Sequence, residues 1–321
     1  MGSQPVRGVR ADAAGPAAFA LRQAVESGSL AVHVPVLADE VAFLLRPRGE
    51  GWVIDGTVGM GGHAAALLAG TGAEVKLLGL DVDPDALARA AANLAPFGDR
   101  VALRRANFRT LTATARAAGV ARARAVLLDL GLSSYQLEAS ARGFSFEGEQ
   151  PLDMRLDPEA APTAAELLNR LPESELARIL HEYGDEPHAR RIARAITRRR
   201  PLSTTADLVA AVRSAVPRAA WSRRIHVATR TFQAVRMAVN DEPEALRQAL
   251  PQAAELLHVG GRVGVISFHS GEDRIVKRTF RALGSAGFAE LEPSPLTPRD
   301  DEVRANPRAR SAKLRVLERL T

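Results

Sequence analysis

The feature that most constrains the fold is an alternation that begins at Trp52. Short runs rich in β-branched residues and leucine alternate with stretches that carry apolar residues at helical spacing. Such an alternation builds βαβ units, whose strands pair in parallel, so we expect an α/β fold. The predicted strands are Trp52–Asp55, Val75–Asp81, Val101–Arg105, Ala125–Asp129 and Arg262–Phe268, and the helices between the first four are Gly62–Ala69, Pro84–Ala95 and Arg109–Ala118.

The interval between the fourth and fifth predicted strands is too long to be a loop. More than a hundred residues separate Asp129 from Arg262, and structureless loops of that length are uncommon inside compact domains. Two stretches within it, Ala164–Leu180 and Asp185–Arg200, have the apolar periodicity of helices. The interval is therefore predicted to be an inserted helical domain.

The domain boundaries follow from where the strand pattern stops and resumes. The α/β domain is expected at residues 31–139 and 228–321, with the helical insertion at 140–227 and a disordered tail at 1–30. The resumed pattern predicts a helix at Glu244–Leu257 ended by Gly260-Gly261, a helix from Glu272 to Leu283, and a closing pair of strands around Ala289 and Leu314–Leu320.

Basic residues are distributed unevenly along the chain. The whole sequence has 43 Lys and Arg against 37 Asp and Glu, a net charge of +6. Residues 188–236 contain twelve arginines and one acid, Asp207, so this segment carries +11 and the rest of the chain sums to −5. The asymmetry indicates a polyanion-binding segment. Its predicted phosphate contacts are Arg190, Arg191 and Arg194, which cluster on the second predicted helix of the insertion.

Several classes of protein are excluded by what the sequence lacks. There is no cysteine, which rules out a disulfide scaffold, a thiol nucleophile and a zinc site built on thiolates. The seven histidines show no metal-ligand spacing, so we expect no metal. No run approaches the roughly 18 apolar residues that span a bilayer, and residues 1–30 lack the apolar core of a signal peptide. A cytoplasmic protein is expected.

A glycine-rich loop follows the first predicted strand. Gly59-x-Gly61-x-x-Ala64 matches the dinucleotide-binding fingerprint, and Asp81 ends the next strand where an acid that binds ribose hydroxyls belongs. The fingerprint alone is weak evidence, but strand, loop, helix, strand and acid occur here in the required order. The sequence predicts a nucleotide-type site at the carboxyl ends of the strands.

The charges around this site separate two classes of cofactor. Asp55 and Asp129 end the first and fourth predicted strands, so they should face the same crevice as Asp81. At about 5 Å and an effective dielectric constant near 20, one carboxylate contributes roughly 3 kcal/mol of gross Coulomb energy. That energy repels the pyrophosphate of NAD and attracts the sulfonium and ammonium groups of S-adenosylmethionine. The three acids favour the sulfonium cofactor, although Asp55 alone could be a turn-forming residue.

The residues that follow the fourth strand suit methyl transfer to an exocyclic amine. Such an amine is a poor nucleophile, and an acceptor that holds one of its N–H groups helps it as positive charge develops. Asp129, or a nearby hydroxyl such as that of Ser133, could be this acceptor.

Asn107 and Phe108 follow the third strand and are placed to meet an adenine, with core packing of Phe108 as the alternative.

Nine ordered motifs make the chain similar to the bacterial 16S ribosomal RNA (cytosine-N4)-methyltransferase family, RsmH or MraW. The similarity spans residues 33 to 321. The motifs are HVPVL at 33–37, DGT at 55–57, GMGGH at 59–63, LDLGLSS at 128–134, RGFSF at 142–146, PLDMR at 151–155, YGDE at 183–186, TRTFQAVR at 229–236 and SFHSGEDRIVK at 267–277.

The resemblance implies a class I, Rossmann-like methyltransferase sheet with an inserted helical substrate domain. It implies S-adenosylmethionine as cofactor and N4 of a cytosine in the decoding region of 16S rRNA as the target, in naked RNA or in the small ribosomal subunit. The cofactor contacts that carry over from the family are Gly61, Gly62, His63, Asp81, Phe108, Asp129 and Gln136.

Some alternatives stay open on sequence alone. The proton acceptor could be Asp129, Ser133 or His269, and His269-Ser270 could instead be a packed histidine beside a helix-capping serine. Asp153 could bind substrate or pair with Arg155. Competing functions are a DNA amino-methyltransferase, disfavoured because no Pro-Pro-aromatic tail follows Asp129, an NAD-linked dehydrogenase, and a non-catalytic RNA-binding assembly factor. The oligomeric state is not indicated.

Overall fold

The structure is a computed structural model that describes residues 35–47, 49–133, 136–137, 141–146, 148–160, 162–222 and 225–321. The expected tail, residues 1–30, lies outside these ranges. The chain forms two compact units. The first contains Ala245–Thr321 and the described residues up to Gly131, and the second is Leu132–Glu244.

The first unit is built on a seven-stranded sheet. Its order is β3-β2-β1-β4-β5-β7-β6, in which β1 to β5 are parallel and β7 runs antiparallel to both of its neighbours. The order of β1 to β5 is that of a Rossmann-like sheet, and the antiparallel β7 distinguishes this sheet from the order 3-2-1-4-5-6 of a dinucleotide-binding domain. The strands are β1 Gly51–Asp55, β2 Val75–Asp81, β3 Val101–Arg105, β4 Ala123–Asp129, β5 Leu257–Ser267, β6 Phe288–Glu290 and β7 Lys313–Arg319.

Helices occur in both units. In chain order they are α1 Ala38–Leu44, α2 Gly62–Ala69, α3 Pro84–Leu94, α4 Leu111–Ala117, α5 Ala164–Arg170, α6 Glu173–Gly184, α7 Ala189–Arg199, α8 Thr205–Ala215, α9 Thr229–Val239, α10 Glu242–Glu255, α11 Ser270–Leu283 and α12 Asp300–Ala305. No helix among the described residues is both long enough and apolar enough to cross a membrane.

The sheet of the first unit is covered on both faces, which explains its uninterrupted apolar strands. Neighbouring residues of a strand point to opposite faces: Val53 joins the apolar cluster that includes residues of α1 and α2, whereas Ile54 joins the cluster that includes residues of α4 and α11. Both side chains are fully buried. A parallel sheet covered in this way presents the carboxyl ends of its strands at one edge.

The predicted strands are confirmed, and two of the predicted helices differ locally. The stretch 164–180 contains two helices rather than one, because Pro172 separates α5 from α6. The helix expected to end at Gly260-Gly261 ends at Glu255, and both glycines lie within β5. A Cβ on Gly261 would come within 3.0 Å of the Arg124 carbonyl oxygen, so glycine is needed where β5 passes close to β4.

The second unit has its own core, made by α5 to α9. Ile192 and Ile196 of α7 are fully buried, as their spacing predicts. Thr163 and Thr204 form capping boxes that begin α5 and α8.

The sequence predicts the insertion at residues 140–227. The observed unit extends further at both ends, from Leu132 to Glu244. The physical reason is packing. Leu132 and Leu137 contact the core of the second unit from one end of the segment, and Phe232 and Val235 of α9 contribute to it from the other end.

Candidate active site

The glycine loop between β1 and α2 has the backbone geometry that the sequence predicts. Gly59 and Gly61 have φ angles of +52° and +87°, a region that favours glycine. Gly56 donates its N–H to Leu127 O at 2.9 Å, and a Cβ there would lie 2.6 Å from Leu128 Cδ2. The loop is therefore held tightly against β4 before α2 begins at Gly62.

Asp81, at the end of β2, holds this loop through both carboxylate oxygens. Its Oδ2 accepts the N–H of Gly59 at 2.9 Å, and its Oδ1 accepts the N–H of Asp83 at 3.0 Å. Burial raises the pKa of Asp81 to about 6. Each oxygen retains acceptor capacity, so the carboxylate can also receive hydroxyl donors such as those of a ribose.

Asp55 ends β1 and is only 1% exposed. Its Oδ1 accepts the N–H of Thr57 at 3.1 Å, so it does form a turn, as one interpretation of the sequence held. Burial raises the pKa of Asp55 to about 7, while the neighbouring charge of His63 opposes the rise and those of Asp129 and Asp81 add to it. The carboxylates at the ends of β2 and β4 are thus close enough to raise the pKa of Asp55.

His63, in the first turn of α2, faces Asp129 at the end of β4. The imidazole is 5% exposed, and its Nε2 lies 3.4 Å from Asp129 Oδ2. The N–H of Asp129 donates to Thr57 Oγ1 at 2.6 Å. Within the described residues, neither ring nitrogen of His63 nor Asp129 Oδ1 has a hydrogen-bond partner, although all three atoms are buried. Buried polar atoms are almost always paired, so these atoms suit a polar ligand.

Asn107 and Phe108 follow β3 on the same side of the sheet. Asn107 Oδ1 accepts the N–H of Arg109 at 3.0 Å, so its carbonyl caps the short 3₁₀ helix Phe108–Thr110. Phe108 is partly buried against the apolar cluster that contains Ile54, and its Cβ would lie 3.5 Å from a Cβ at Gly56. The Phe108 side chain therefore starts beside the β1 loop.

Ser133 and Gln136 belong to the second unit. They bind each other: the N–H of Ser133 donates to Gln136 Oε1 at 3.0 Å, and the N–H of Gln136 donates to Ser133 Oγ at 3.2 Å. Gln136 is 5% exposed. This reciprocal pair fixes both side chains in a turn.

His269 follows β5 and caps α11. Its Nδ1 accepts the N–H of Glu272 at 3.3 Å, and its Nε2 lies 3.0 Å from Glu272 Oε1. The buried Glu272 also accepts the N–H of Phe268 at 2.8 Å. The cap is therefore His269 rather than Ser270. Glu272 is not among the site residues predicted from the sequence, although it lies three residues after the cap, which is the spacing of a capping box.

The arginines of the basic segment differ in what they contact. Arg190 and Arg191 of α7 are exposed and have no ion pair among the described residues. Arg194 Nε lies 3.4 Å from Glu173 Oε1 at an exposed position. Arg200 instead donates to the carbonyls of Leu168 and Leu171. Some arginines of the basic segment are therefore engaged within the protein, and the exposed Arg190 and Arg191 are available to a ligand.

Other charged candidates are paired within the protein. Arg155 Nη2 lies 2.7 Å from Asp153 Oδ2, and its Nε donates to Oδ1 at 2.8 Å. Of the two interpretations of Asp153, the ion pair is therefore the one seen. Arg236 forms a similar two-pronged pair with Glu242. No group of three His, Asp or Glu in the described part of the chain is arranged to hold a metal ion.

The raised pKa values predict that stability falls as pH rises. Asp55 and Asp81 bind protons more tightly in the folded state than in the unfolded chain, so their favourable contribution is complete below about pH 4 and is lost as pH rises through about 6 and 7. Between pH 5 and 8 we expect the free energy of unfolding to decrease by about 2 kcal/mol through Asp55 alone. Urea titrations across this range measure the decrease.

The variant Asp55→Asn is the control for that pH dependence. Its amide oxygen can still accept the N–H of Thr57, but it does not ionise. We expect a flatter pH profile and a higher free energy of unfolding at pH 8. An unchanged slope in Asp55→Asn would show that the decrease arises elsewhere.

The comparisons with known proteins match residues of both units. A model of the MraW methylase family matches residues 30–320. A Heliobacterium modesticaldum protein named ribosomal RNA small subunit methyltransferase H is 49% identical over 308 residues, 90% of this chain and 98% of that protein. A Thermotoga neapolitana protein of the same name is 50% identical over 289 residues, 89% of this chain and 95% of its own.

Among solved structures, an rRNA methylase from Streptococcus thermophilus is 15% identical, with a TM-score of 0.42 over 88% of this chain and 94% of its own. The family match begins before β1 and extends through β7, so it includes every strand of the sheet and all of the second unit. The chain belongs to the MraW methylase family.

Proposed function

We propose that this protein transfers a methyl group from S-adenosylmethionine to N4 of a cytosine in the decoding region of small-subunit (16S) rRNA, a reaction of the cytoplasm. The observation that carries the proposal is the group of carboxylates at the ends of β1, β2 and β4, together with the buried ring nitrogens of His63 and the buried Asp129 Oδ1, which have no hydrogen-bond partner among the described residues. Membership of a methylase family and relatives named for methylation of small-subunit rRNA support it.

The residues fit this cofactor better than a dinucleotide. The carboxylates attract a sulfonium and an ammonium group and would repel a pyrophosphate. Asp81 is proposed to accept the ribose hydroxyls, Phe108 to contact the adenine, and the Gly61-Gly62 turn to admit the ligand close to the backbone. His63 and Asp129 complete the proposed set within the first unit, and Gln136, in the second unit, stays a prediction of the family resemblance. When bound, S-adenosylmethionine supplies an activated methyl group.

Asp129 is the proposed acceptor for the N4 proton. Its Oδ1 has no partner among the described residues and can hold an N–H of the target amine while positive charge develops on nitrogen. His269 is a second candidate: its Nδ1 accepts the N–H of Glu272, and its buried Nε2, 3.0 Å from Glu272 Oε1, forms no hydrogen bond among the described residues. Ser133 is a third candidate, because its Oγ accepts the N–H of Gln136 and a hydroxyl oxygen has a second lone pair. Access of N4 to any of them requires that the cytosine be unstacked.

Methyl transfer can be tested directly with labelled S-adenosylmethionine. Small subunits and free 16S rRNA from cells that lack this gene serve as two alternative substrates, and the RNA is digested to nucleosides after incubation. Label in N4-methylcytidine supports the proposal, and the substrate that is labelled identifies the assembly stage. Label confined to other nucleosides contradicts the proposed target, whereas RNA binding with no label supports a non-catalytic assembly factor.

The exposed arginines of α7 are the proposed RNA surface. Replacing Arg190, Arg191 and Arg194 together by Glu should lower RNA affinity by about tenfold or more and reduce the dependence of affinity on salt, because each lost phosphate contact removes about 0.7 from the logarithmic salt slope on single strands. S-adenosylmethionine affinity should not change. Fluorescence anisotropy with labelled rRNA fragments at several salt concentrations measures both quantities.

Arg178 of α6 provides the matched control. It is exposed in the same unit, but its guanidinium lies 2.9 Å from Glu175 and 2.6 Å from Glu182, which neutralise it. Arg178→Glu should therefore change RNA affinity less than Arg190→Glu does. Equal losses in the two single variants would mean that RNA responds to net charge alone, and the α7 surface would not be a specific contact.

A further inference from the structure

An aromatic and basic cluster in the second unit takes no part in the function proposed above. It consists of Phe146, Arg213, Arg218, Trp221 and His226, and is called here the Trp221 cluster. The guanidinium carbons of Arg213 and Arg218 lie 5.8 and 5.9 Å from the centroid of the Trp221 ring. Both distances are within the range of cation–π contacts.

The aromatic part of the cluster is held in place by the protein. Trp221 Nε1 donates to Val216 O at 3.1 Å, just beyond the end of α8. His226 stacks on Phe146 with ring centroids 4.4 Å apart and planes inclined by 15°, and Phe146 meets Phe232 edge to face at 5.9 Å. Because Phe232 belongs to the core of the unit, the cluster is anchored to a rigid element.

The basic part of the cluster is not neutralised by acids. Arg213 and Arg218 are exposed, and neither pairs with a carboxylate within the described residues. Arg213 Nη2 lies 3.3 Å from His226 Nε2. Burial, and then the charge of Arg213, lower the pKa of His226, so its ring is neutral at physiological pH. Two unneutralised cations therefore lie beside a fixed indole, whereas Arg178 on the same unit has two acidic partners.

This combination suits a strand that alternates aromatic bases with phosphates. A base can stack on an indole whatever its identity, and guanidinium groups bind the phosphates that flank it. An acidic peptide would use the arginines but would leave the aromatic face without a matching partner. The cluster therefore favours a single-stranded nucleic acid over an acidic protein.

We infer that the Trp221 cluster binds a nucleotide of single-stranded RNA, with a base stacked on Trp221 and flanking phosphates on Arg213 and Arg218. The inference rests on the proposed function for the identity of the polymer as RNA. It adds a contact on the second unit that is separate in the chain from the arginines of α7. Because stacking tolerates every base, the site should hold RNA without selecting its sequence.

Trp221 itself is a probe of this contact. The chain has two tryptophans, and Trp52 lies in the other unit, so Trp52→Phe leaves Trp221 as the only indole. We expect an oligocytidylate of about ten nucleotides, a length within the usual range of single-strand sites, to quench Trp221 fluorescence with saturation, and inorganic tripolyphosphate to quench it little. Equal quenching by both would indicate charge without stacking, and no quenching by RNA would mean no contact. Either result overturns the inference.

Two substitutions separate stacking from a structural role of Trp221. Trp221→Leu should lower oligocytidylate affinity by about tenfold, whereas Trp221→Phe, which also loses the hydrogen bond to Val216 but keeps an aromatic face, should retain most of it. Equal losses in the two variants would overturn the stacking role. Labelled methyl transfer to small subunits by the unaltered protein is the independent measurement. If transfer is observed without Trp221 quenching, only this inference fails, and if quenching is observed without transfer, only the proposed reaction fails.

Discussion

Asp81→Asn is expected to weaken S-adenosylmethionine binding by about 100-fold or more. Both oxygens of Asp81 accept a backbone N–H, one from Gly59 and one from Asp83. An asparagine offers one oxygen and one NH₂ group, so one backbone donor would face another donor. The glycine loop would lose a charge-assisted hydrogen bond, and the cofactor would lose one acceptor for its ribose. A hydrogen bond to a charged acceptor usually contributes about 1.5 kcal/mol or more. The loss of two such bonds corresponds to a decrease in S-adenosylmethionine affinity of about 100-fold.

Isothermal titration calorimetry of folded protein measures this loss. Asp99→Asn is the matched control, because Asp99 is exposed in the same unit and the substitution changes net charge equally. It should leave cofactor affinity unchanged. An Asp81→Asn variant that binds S-adenosylmethionine as tightly as Asp99→Asn would remove Asp81 from the site. A rise in melting temperature with NADH and none with S-adenosylmethionine would contradict the choice of cofactor itself.

The grouping of the acids at the strand ends could be predicted because it follows from backbone geometry. Parallel strands end at one edge, so residues that close β1, β2 and β4 meet there whatever lies between them in sequence. On this ground the sequence predicts Asp55, Asp81 and Asp129 in one crevice, and the influence of Asp81 and Asp129 on the pKa of Asp55 is consistent with that placement. Strand periodicity and element order were sufficient for this part of the site.

The roles of individual side chains could not be predicted in the same way, because a side chain's partner depends on tertiary contacts. Gly260-Gly261 has the composition of a helix stop, yet Gly261 is required where β5 passes the β4 backbone. Asn107 has the chemistry to bind adenine, and its oxygen also caps a short helix, a contact that the sequence did not indicate. His269 is engaged by Glu272, a residue whose burial the sequence did not indicate.

The basic segment illustrates the same limit for charge. A count of twelve arginines against one acid gives the sign of a surface, but not which guanidinium groups face solvent. Arg200 binds backbone carbonyls, and Arg236 binds Glu242, an acid six residues along the chain and outside the counted segment. Arg190 and Arg191 are exposed instead. Net charge and helical spacing therefore predict the segment and the cluster of Arg190, Arg191 and Arg194, whereas the internal partners of Arg200, Arg236 and Arg194 required the structure.

Gly143→Ala is expected to lower the stability of the second unit by about 4 kcal/mol. Gly143 has a φ angle of +76°, which costs an alanine about 1–2 kcal/mol. A Cβ at this position would also overlap the carbonyl oxygen of Pro151 and lie 3.2 Å from Thr205 Cγ2. The backbone at Pro151 cannot shift as the end of a flexible side chain can. Thr205 donates its N–H to Gln150 O, and this bond fixes the backbone beside Pro151 to the start of α8. Overpacking of this kind adds about 1–3 kcal/mol.

Gly148→Ala isolates the conformational part of that cost. Gly148 lies five residues further along with a φ angle of +80°, but no atom of the described residues lies within 4 Å of the position its Cβ would take. It should therefore lose only the about 1–2 kcal/mol of left-handed strain. Urea unfolding followed through Trp221 in the Trp52→Phe background reports on the second unit in both variants. Similar losses in the two alanine variants would mean that steric overlap at Pro151 contributes nothing, and the RGFSF segment would then not be fixed by close packing of Gly143 on its own backbone.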